Sequence, residues 1–310
     1  MGESSTHKRP RPRGTQVSAR IDEARSLLLV LHGPNVGKPI DLFPRCPREG
    51  EPPEAALRYV VGSGQGCNLH IPQPEVSPCH AQFLAEGLAI HLQDLGSHLG
   101  TYVNEESVAE AVLASGDEIR VGRNLFRFLE GPDPRVLVDA ELKRLQTHDT
   151  LTGLLNKRYF EQTLEREFQR CERYGRELVV MLAGVDDWDR FHEVLGGLGG
   201  DLLARQLGRL IHRSCGRDDT AGRVGADDFA VVLPETDLEA ARRQAEALRA
   251  AAAELRPVRV TKDARDLPPL HLSVGIASLA EEAEGPTELL RAAHSNLLAA
   301  RQDGGDQVVG

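Results

Sequence analysis

The sequence predicts two domains in tandem, an all-β sandwich followed by an α+β domain, and three observations carry that prediction. Short β-type runs alternate with turn residues from Ser26 to about Glu130. From His148 onward, helical stretches alternate with apolar strands. Between them Gly131-Pro132-Asp133-Pro134 breaks the chain, because proline fixes φ and removes a backbone donor. At 310 residues the chain can bury two ordinary cores.

In the first half the strand-like runs are Leu27 to Leu31, Leu57 to Val61, Asn68 to Ile71, Ala81 to Ala85, Ala89 to Leu92, Thr101 to Asn104, Glu118 to Val121 and Leu125 to Leu129. Their even spacing between turn residues predicts a sandwich. Val136 to Gln146 predicts a short amphipathic helix joining the halves. Helical stretches follow at Lys157 to Tyr174, Asp201 to Ser214, Asp237 to Leu255 and Thr287 to Gln302. Apolar strands are expected at Leu178 to Leu182, Ala221 to Val224, Phe229 to Leu233 and Leu270 to Ala277, a pattern that fits α+β or α/β. The boundaries are therefore a disordered basic tail at 1–23, the sandwich at 24–130, linker and helix at 131–147, and the second domain at 148–310.

With 47 acidic against 37 basic side chains, the net charge of -10 disfavours nucleic acid as a partner. Only the tail holding Lys8, Arg9, Arg11 and Arg13 is basic. The longest apolar runs are too short to span a bilayer and the first residues lack the apolar stretch of a secretory signal, so a cytoplasmic protein is expected. Five cysteines without a C-x-x-C pair argue against a disulfide framework. Cys67, His70, Cys79 and His80 suggest zinc, but neighbours on a strand point to opposite faces and would ligate poorly together. Gly33 to Lys38 is one residue short of a phosphate loop and ends at Pro39. The Gly62, Gly64, Gly66 series leads into a strand, not a helix, so both glycine-rich stretches read as turns.

From Tyr59 to Phe128 the chain carries Ser77-x-x-His80, Asp94-Leu95-Gly96-Ser97, Gly100-Thr101 with Asn104, and Gly116-Asp117-Glu118-Ile119 with Val121-Gly122. This stretch resembles a forkhead-associated (FHA) domain, a β-sandwich whose loops bind phosphothreonine peptides. The resemblance implies a protein partner on a loop face holding Ser63, Ser77, His80, Ser97 and His98. Ser63 stands where the family carries the arginine that grips phosphate, and Leu99 where it carries an asparagine. One hydroxyl does not replace an arginine fork, so weak or absent phosphopeptide affinity is expected.

In the second half His148-Asp149-Thr150-Leu151-Thr152-Gly153-Leu154 leads into Asn156-Lys157-Arg158, and Asp186, Trp188, Gly196 and Gly200-Asp201 follow. Arg223, Gly225-Ala226-Asp227-Asp228-Phe229 and Ser273-Val274-Gly275-Ile276-Ala277 continue the series. This order resembles the GGDEF family of diguanylate cyclases over the whole of 148–310, which implies an α+β palm with a mainly antiparallel central sheet. The family reaction joins two GTP molecules into cyclic di-GMP on a dimer, with metal ions held by carboxylates from the first strand and the hairpin.

Carried over by position, the residual signature is Asp227 and Asp228, and Asp227 is the one remaining metal ligand because Gly184 stands at the other. Asp186 takes a second, structural position, and Trp188 and Phe229 read as core. Nucleotide contacts fall on Asp201, His192 in place of an asparagine, and Arg301 in place of a phosphate-binding lysine. Asp219 survives from an inhibitory R-x-x-D site whose arginine is Gly216. Together these departures favour a non-catalytic signalling or scaffold protein of the cyclic di-GMP network, acting through protein partners. It would require no cofactor, with magnesium only if GTP is bound. A divergent cyclase, a cyclic di-GMP or GTP receptor, and an FHA adaptor dimerised by its second domain are the competing readings.

Overall fold

The computed structural model describes residues 25–43, 58–86, 89–131, 134–256, 269–281 and 284–310. The basic tail, Cys46 and Leu57 lie outside them. The chain divides into two compact units, Met1–Glu141 and Leu142–Gly310.

The first unit is built from β1 (Arg25–His32), β2 (Pro39–Asp41), β3 (Arg58–Gly62), β4 (Leu69–His70), β5 (Ala81–Glu86) and β6 (Ala89–Asp94), followed by β7 (Thr101–Val103), β8 (Glu106–Val108), β9 (Glu110–Val112), β10 (Glu118–Val121) and β11 (Asn124–Gly131). They form two sheets, β2-β1-β11-β10-β7-β8 and β4-β3-β5-β6-β9. Alternate residues of each strand point inward, so Leu28, Val30, Val61, Phe83, Leu92 and Phe128 share one core. The glycine-rich stretches after β1 and β3 are turns, and a Cβ at Gly62 would overlap the Pro78 carbonyl.

Helix α1 (Pro134–Thr147) contains the division between the units, which falls between Glu141 and Leu142. The second unit then runs β12 (Leu155–Asn156), α2 (Lys157–Tyr174), β13 (Leu178–Val185), α3 (Trp188–Ser214), β14 (Thr220–Arg223), β15 (Asp228–Pro234), α4 (Leu238–Ala253), β16 (Leu272–Ser278), α5 (Pro286–Gln302) and β17 (Val308–Val309). Its sheet has the order β12-β14-β15-β13-β16-β17, with antiparallel pairing at its centre and parallel pairing at both edges. All of β13 is buried, as a central strand covered on both faces must be. Val179, Met181 and Ala183 face α3 and α4, while Leu178, Val180 and Leu182 face α2 and α5.

Helix α2 has a legible start and stop: Asn156 accepts from the Tyr159 amide, and Gly175 closes the helix in the left-handed conformation. Helix α3 begins earlier than the sequence pattern predicts, at Trp188 instead of Asp201, and kinks at Gly196 (φ 68°, ψ 177°). The glycines at 196, 197, 199 and 200 disfavour helix intrinsically, but burial of Phe191, Leu195 and Leu198 overrides that preference.

Candidate functional site

In the first unit the predicted loop residues gather around two anchors, half-buried Asp94 and buried His80. Asp94, at the end of β6, accepts from the Gly96 amide (2.9 Å), the Ser97 amide (2.8 Å), the Ser97 hydroxyl (2.5 Å) and the Thr101 hydroxyl (2.6 Å). Burial alone raises its pKa, but the bonds from Ser97, Thr101 and Gly96 outweigh that and hold the carboxyl below its usual value. His80 is fully buried; its Nδ1 accepts from the Ser77 amide (3.1 Å), so its Nε2 carries the proton and donates to the Gly100 carbonyl (3.1 Å). Burial lowers its pKa, and Arg120 adds to the drop against the Gly100 carbonyl and Asp94.

Ser77 accepts the His98 amide (3.0 Å), and the Ser63 amide donates to the Ser77 carbonyl (2.9 Å). The loops are thus tied to one another by the residues the motif retains. His98 and His70 are both exposed, and His70 Nε2 faces the Ser63 carbonyl at 3.0 Å. Both nitrogens of His80 are spent inside the fold, which removes it from any zinc set, and among the described residues no group of three or more acidic, cysteine or histidine side chains could hold a metal.

In the second unit the predicted catalytic positions converge at one end of the sheet. Gly184 pairs directly with Asp228 of β15 and with Ser273 of β16, and directly paired residues of antiparallel strands share a face. That face is the one covered by α5, whose approach is set by Gly275: a Cβ there would overlap the Ala293 carbonyl and the Leu297 amide. Arg301, in the last turn of α5, consequently reaches over Gly184. Its Nη2 donates to Asp227 Oδ2 (2.9 Å), Asp228 Oδ1 (3.2 Å) and the Val185 carbonyl (3.3 Å), and its Nε lies 3.9 Å from Asp186 Oδ1.

Burial raises the Asp228 pKa and the neighbouring Asp227 carboxylate adds to the rise, while Arg301 and His294 pull it down. Asp186 is structural, as its position implies: it accepts from Ser273 (2.7 Å) and from the Asp306 amide (2.8 Å), fastening the C-terminal turn to the sheet. Gly305 in that turn has φ +73°, and a Cβ there would press on the Asp186 carboxylate. Ala226 is exposed at the hairpin tip and its carbonyl accepts from Arg223 (2.7 Å). Arg223 also reaches Asp149 (3.3 Å), whose carboxylate caps the turn at Thr152. Sequence motifs marked Arg223 and Asp149 without showing this brace between them.

Of the predicted nucleotide-side residues, Arg301 is the one bonded to the acidic pair. His192 is exposed and its ring lies over Gly200, the residue before Asp201. Asp219 accepts from the Gly216 amide (2.7 Å) and from Gln244 Nε2 (3.2 Å), so its carboxylate closes the turn between α3 and β14. Phe229 packs in the core, and partly buried Trp188 packs against it.

A divalent cation does not fit the side chains present. Gly184 contributes no oxygen, and both hairpin carboxylates already hold the Arg301 guanidinium.

Comparison with known proteins gives two family matches: "Diguanylate cyclase, GGDEF domain" over residues 146–307 and "FHA domain" over residues 59–122. Diguanylate cyclase DgcP of Pseudomonas aeruginosa is 35% identical over 105 residues, which is 34% of this chain and 16% of that protein. Probable diguanylate cyclase DgcC of Escherichia coli K12 is 29% identical over 169 residues, covering 53% of this chain and 44% of the relative. The chain thus spans less than half the length of these two curated relatives. Among solved structures, the coiled coil and GGDEF domain of DgcB from Caulobacter crescentus, in complex with c-di-GMP, superposes with a TM-score of 0.52 at 24% identity, covering 56% of this chain and 91% of that one. That likeness supports the fold of the second unit. An FHA-type sandwich precedes it, and with the GGDEF match reaching across more than half of its residues the chain belongs to the diguanylate cyclase GGDEF-domain family.

Proposed function

We propose that this protein is a non-catalytic signalling or scaffold component of the cyclic di-GMP network, which works by binding protein partners through its FHA and GGDEF units. The observation that carries the reading is the trio of Gly184, Arg301 and the hairpin acids: the strand position is bare and both carboxylates are engaged by the chain's own cation. Removing about 4 kcal/mol of transition-state stabilisation lowers a rate about a thousandfold. Loss of a metal-holding carboxylate is of that order, and here the remaining acids are also occupied.

The FHA unit supplies the surface for a partner, since its loops are locked in shape by Asp94 and His80 before anything binds. The GGDEF unit retains Asp201, and the His192 ring lies over Gly200, the residue before it. That pairing supports residual guanine-nucleotide affinity without turnover.

The test is direct. Full-length protein incubated with GTP and Mg2+ and assayed by chromatography is expected to yield no cyclic di-GMP. Turnover at an ordinary enzymatic rate, on the order of 1 per second or faster, would overturn the reading in favour of a divergent cyclase.

A further inference from the structure

We propose that the guanidinium of Arg301 is the resident cation of the hairpin site and stands in place of a divalent metal ion. The inference rests on the non-catalytic reading of the site and states what fills it. Three oxygens surround Arg301 Nη2: Asp227 Oδ2 at 2.9 Å, Asp228 Oδ1 at 3.2 Å and the Val185 carbonyl at 3.3 Å. Two carboxylates and a backbone carbonyl converging on one point form a set of hard oxygen donors, the kind a divalent cation takes. A guanidinium meets the same need for positive charge with directional hydrogen bonds.

Gly184 and Arg301 belong together sterically. A Cβ on Gly184 would overlap Arg301 Nη2, lie 2.9 Å from Arg301 Cζ and 2.8 Å from Asp228 Oδ1. Any side chain at 184 therefore evicts the guanidinium, and an aspartate there would also crowd Asp228. Glycine at 184 makes the space, and Gly275 lets α5 lie close enough to deliver Arg301 into it. Loss of the strand carboxylate and arrival of the arginine are one exchange: a ligand and its metal for an internal cation.

The electrostatics agree from every side. Asp186 lies within 3.9 Å of Arg301 Nε, and His294 on α5 also acts to lower the Asp228 pKa. With Arg301 removed, Asp227, Asp228 and Asp186 would face each other without the guanidinium, which favours capture of a cation from solvent. A consequence for restoration follows. Gly184→Asp together with Ala226→Gly and His192→Asn, the reversal the motif suggests, displaces the guanidinium but keeps it on α5 as a cation that competes with a metal ion for Asp227 and Asp228.

Mn2+ serves as the probe, with free Mn2+ followed by electron paramagnetic resonance in titrations of the full chain. The wild type is expected to show no saturable site below about millimolar concentration, whereas Arg301→Met, which keeps the aliphatic stem, should bind one Mn2+ at least about tenfold more tightly. Asp227→Asn added to Arg301→Met should abolish that gain. Gly184→Ala keeps Arg301 in the chain but displaces its guanidinium, and should give a smaller gain in the same direction. A wild type that binds one Mn2+ and loses it with Asp227→Asn overturns the proposal. So does the absence of any gain in whichever of Arg301→Met and Gly184→Ala retains the wild-type circular dichroism spectrum. Cyclic di-GMP formation from GTP overturns the non-catalytic reading and this proposal with it, whereas Mn2+ binding by an inactive wild type overturns this proposal alone.

Discussion

At the rim of the sandwich one carboxylate, Asp94, accepts four hydrogen bonds from neutral donors of its own loop, whereas at the hairpin of the second unit two carboxylates, Asp227 and Asp228, share one guanidinium. Both arrangements retain motif residues, yet for different reasons. Asp94, Ser97 and Thr101 persist because the loop cannot hold its shape without them. Two positions that the FHA resemblance assigns to a ligand, Ser63 and Leu99, are ones that differ from its pattern. At the hairpin the ligand-facing acids persist, and their partner has changed from outside the chain to inside it. Retention of a motif residue therefore reports structure in the first region and electrostatic compensation in the second.

The largest expected effect separates these causes by stability. Asp94→Ala leaves four donors without their acceptor, including the hydroxyl of fully buried Thr101, and should cost about 3 kcal/mol or more. Asp227→Asn should cost about 1 kcal/mol or less, since Asp228 still pairs with Arg301 and repulsion between the two acids is relieved. Hydrogen exchange read by mass spectrometry over β5 to β7 and over β13 to β15 measures both. Equal losses of protection in the two regions would erase the distinction.

A smaller effect, opposite in sign for the two regions, should appear with pH. His80 has its pKa lowered from 6.5 by burial, so as pH falls below that value the unfolded chain takes up the proton first. Its contribution to stability is complete above 6.5 and is lost as pH falls toward the folded-state value. Asp228 is raised from 3.8, so its contribution is complete below 3.8 and is lost as pH rises through its elevated folded value. The stability gap between wild type and His80→Phe should therefore narrow between pH 7.5 and pH 5.5, as judged by denaturant titration. The advantage of Asp228→Asn over wild type should widen over the acid range as pH rises. A His80 gap constant across that range would mean that burial does not hold the imidazole neutral.

Much of this architecture was legible because local signals agreed with the global fold. Helix α2 shows its Asn156 cap, its apolar period and its Gly175 stop in one stretch, and its bounds match the pattern. Strands β2, β8 and β9 were missed because a three-residue strand at a sheet edge carries too few residues to show alternation. The N-terminal part of α3 was missed because its glycines signal a break while its burial enforces a helix. At the site, the bare Gly184 and the arginine at 301 were each visible as departures from a motif. Their connection was not, because it is made by the close approach of α5 at Gly275, a tertiary fact with no local signature. The Asp149 to Arg223 brace, between residues 74 apart in the chain, was hidden for the same reason.

The remaining expectation concerns Asp219, where compensation of the Arg301 kind is absent. An R-x-x-D site needs an arginine fork to grip guanine and phosphate while the acid accepts from the base. Here Gly216 stands at the arginine position, and the Asp219 carboxylate accepts from the Gly216 amide and from Gln244. A ligand would have to displace both donors and would meet Gly216 where the motif has its arginine, so the carboxylate contributes to the turn rather than to recognition. Equilibrium dialysis with cyclic di-GMP should give no submicromolar binding, and Asp219→Ala should loosen the α3 to β14 turn by about 1 to 2 kcal/mol without changing ligand affinity. A submicromolar constant abolished by Asp219→Ala would instead make the second unit a cyclic di-GMP receptor. The comparison would then sharpen differently: the hairpin would have lost its external ligand while the neighbouring turn kept one, with Arg217 or a residue of α4 as the group to search for the missing positive charge.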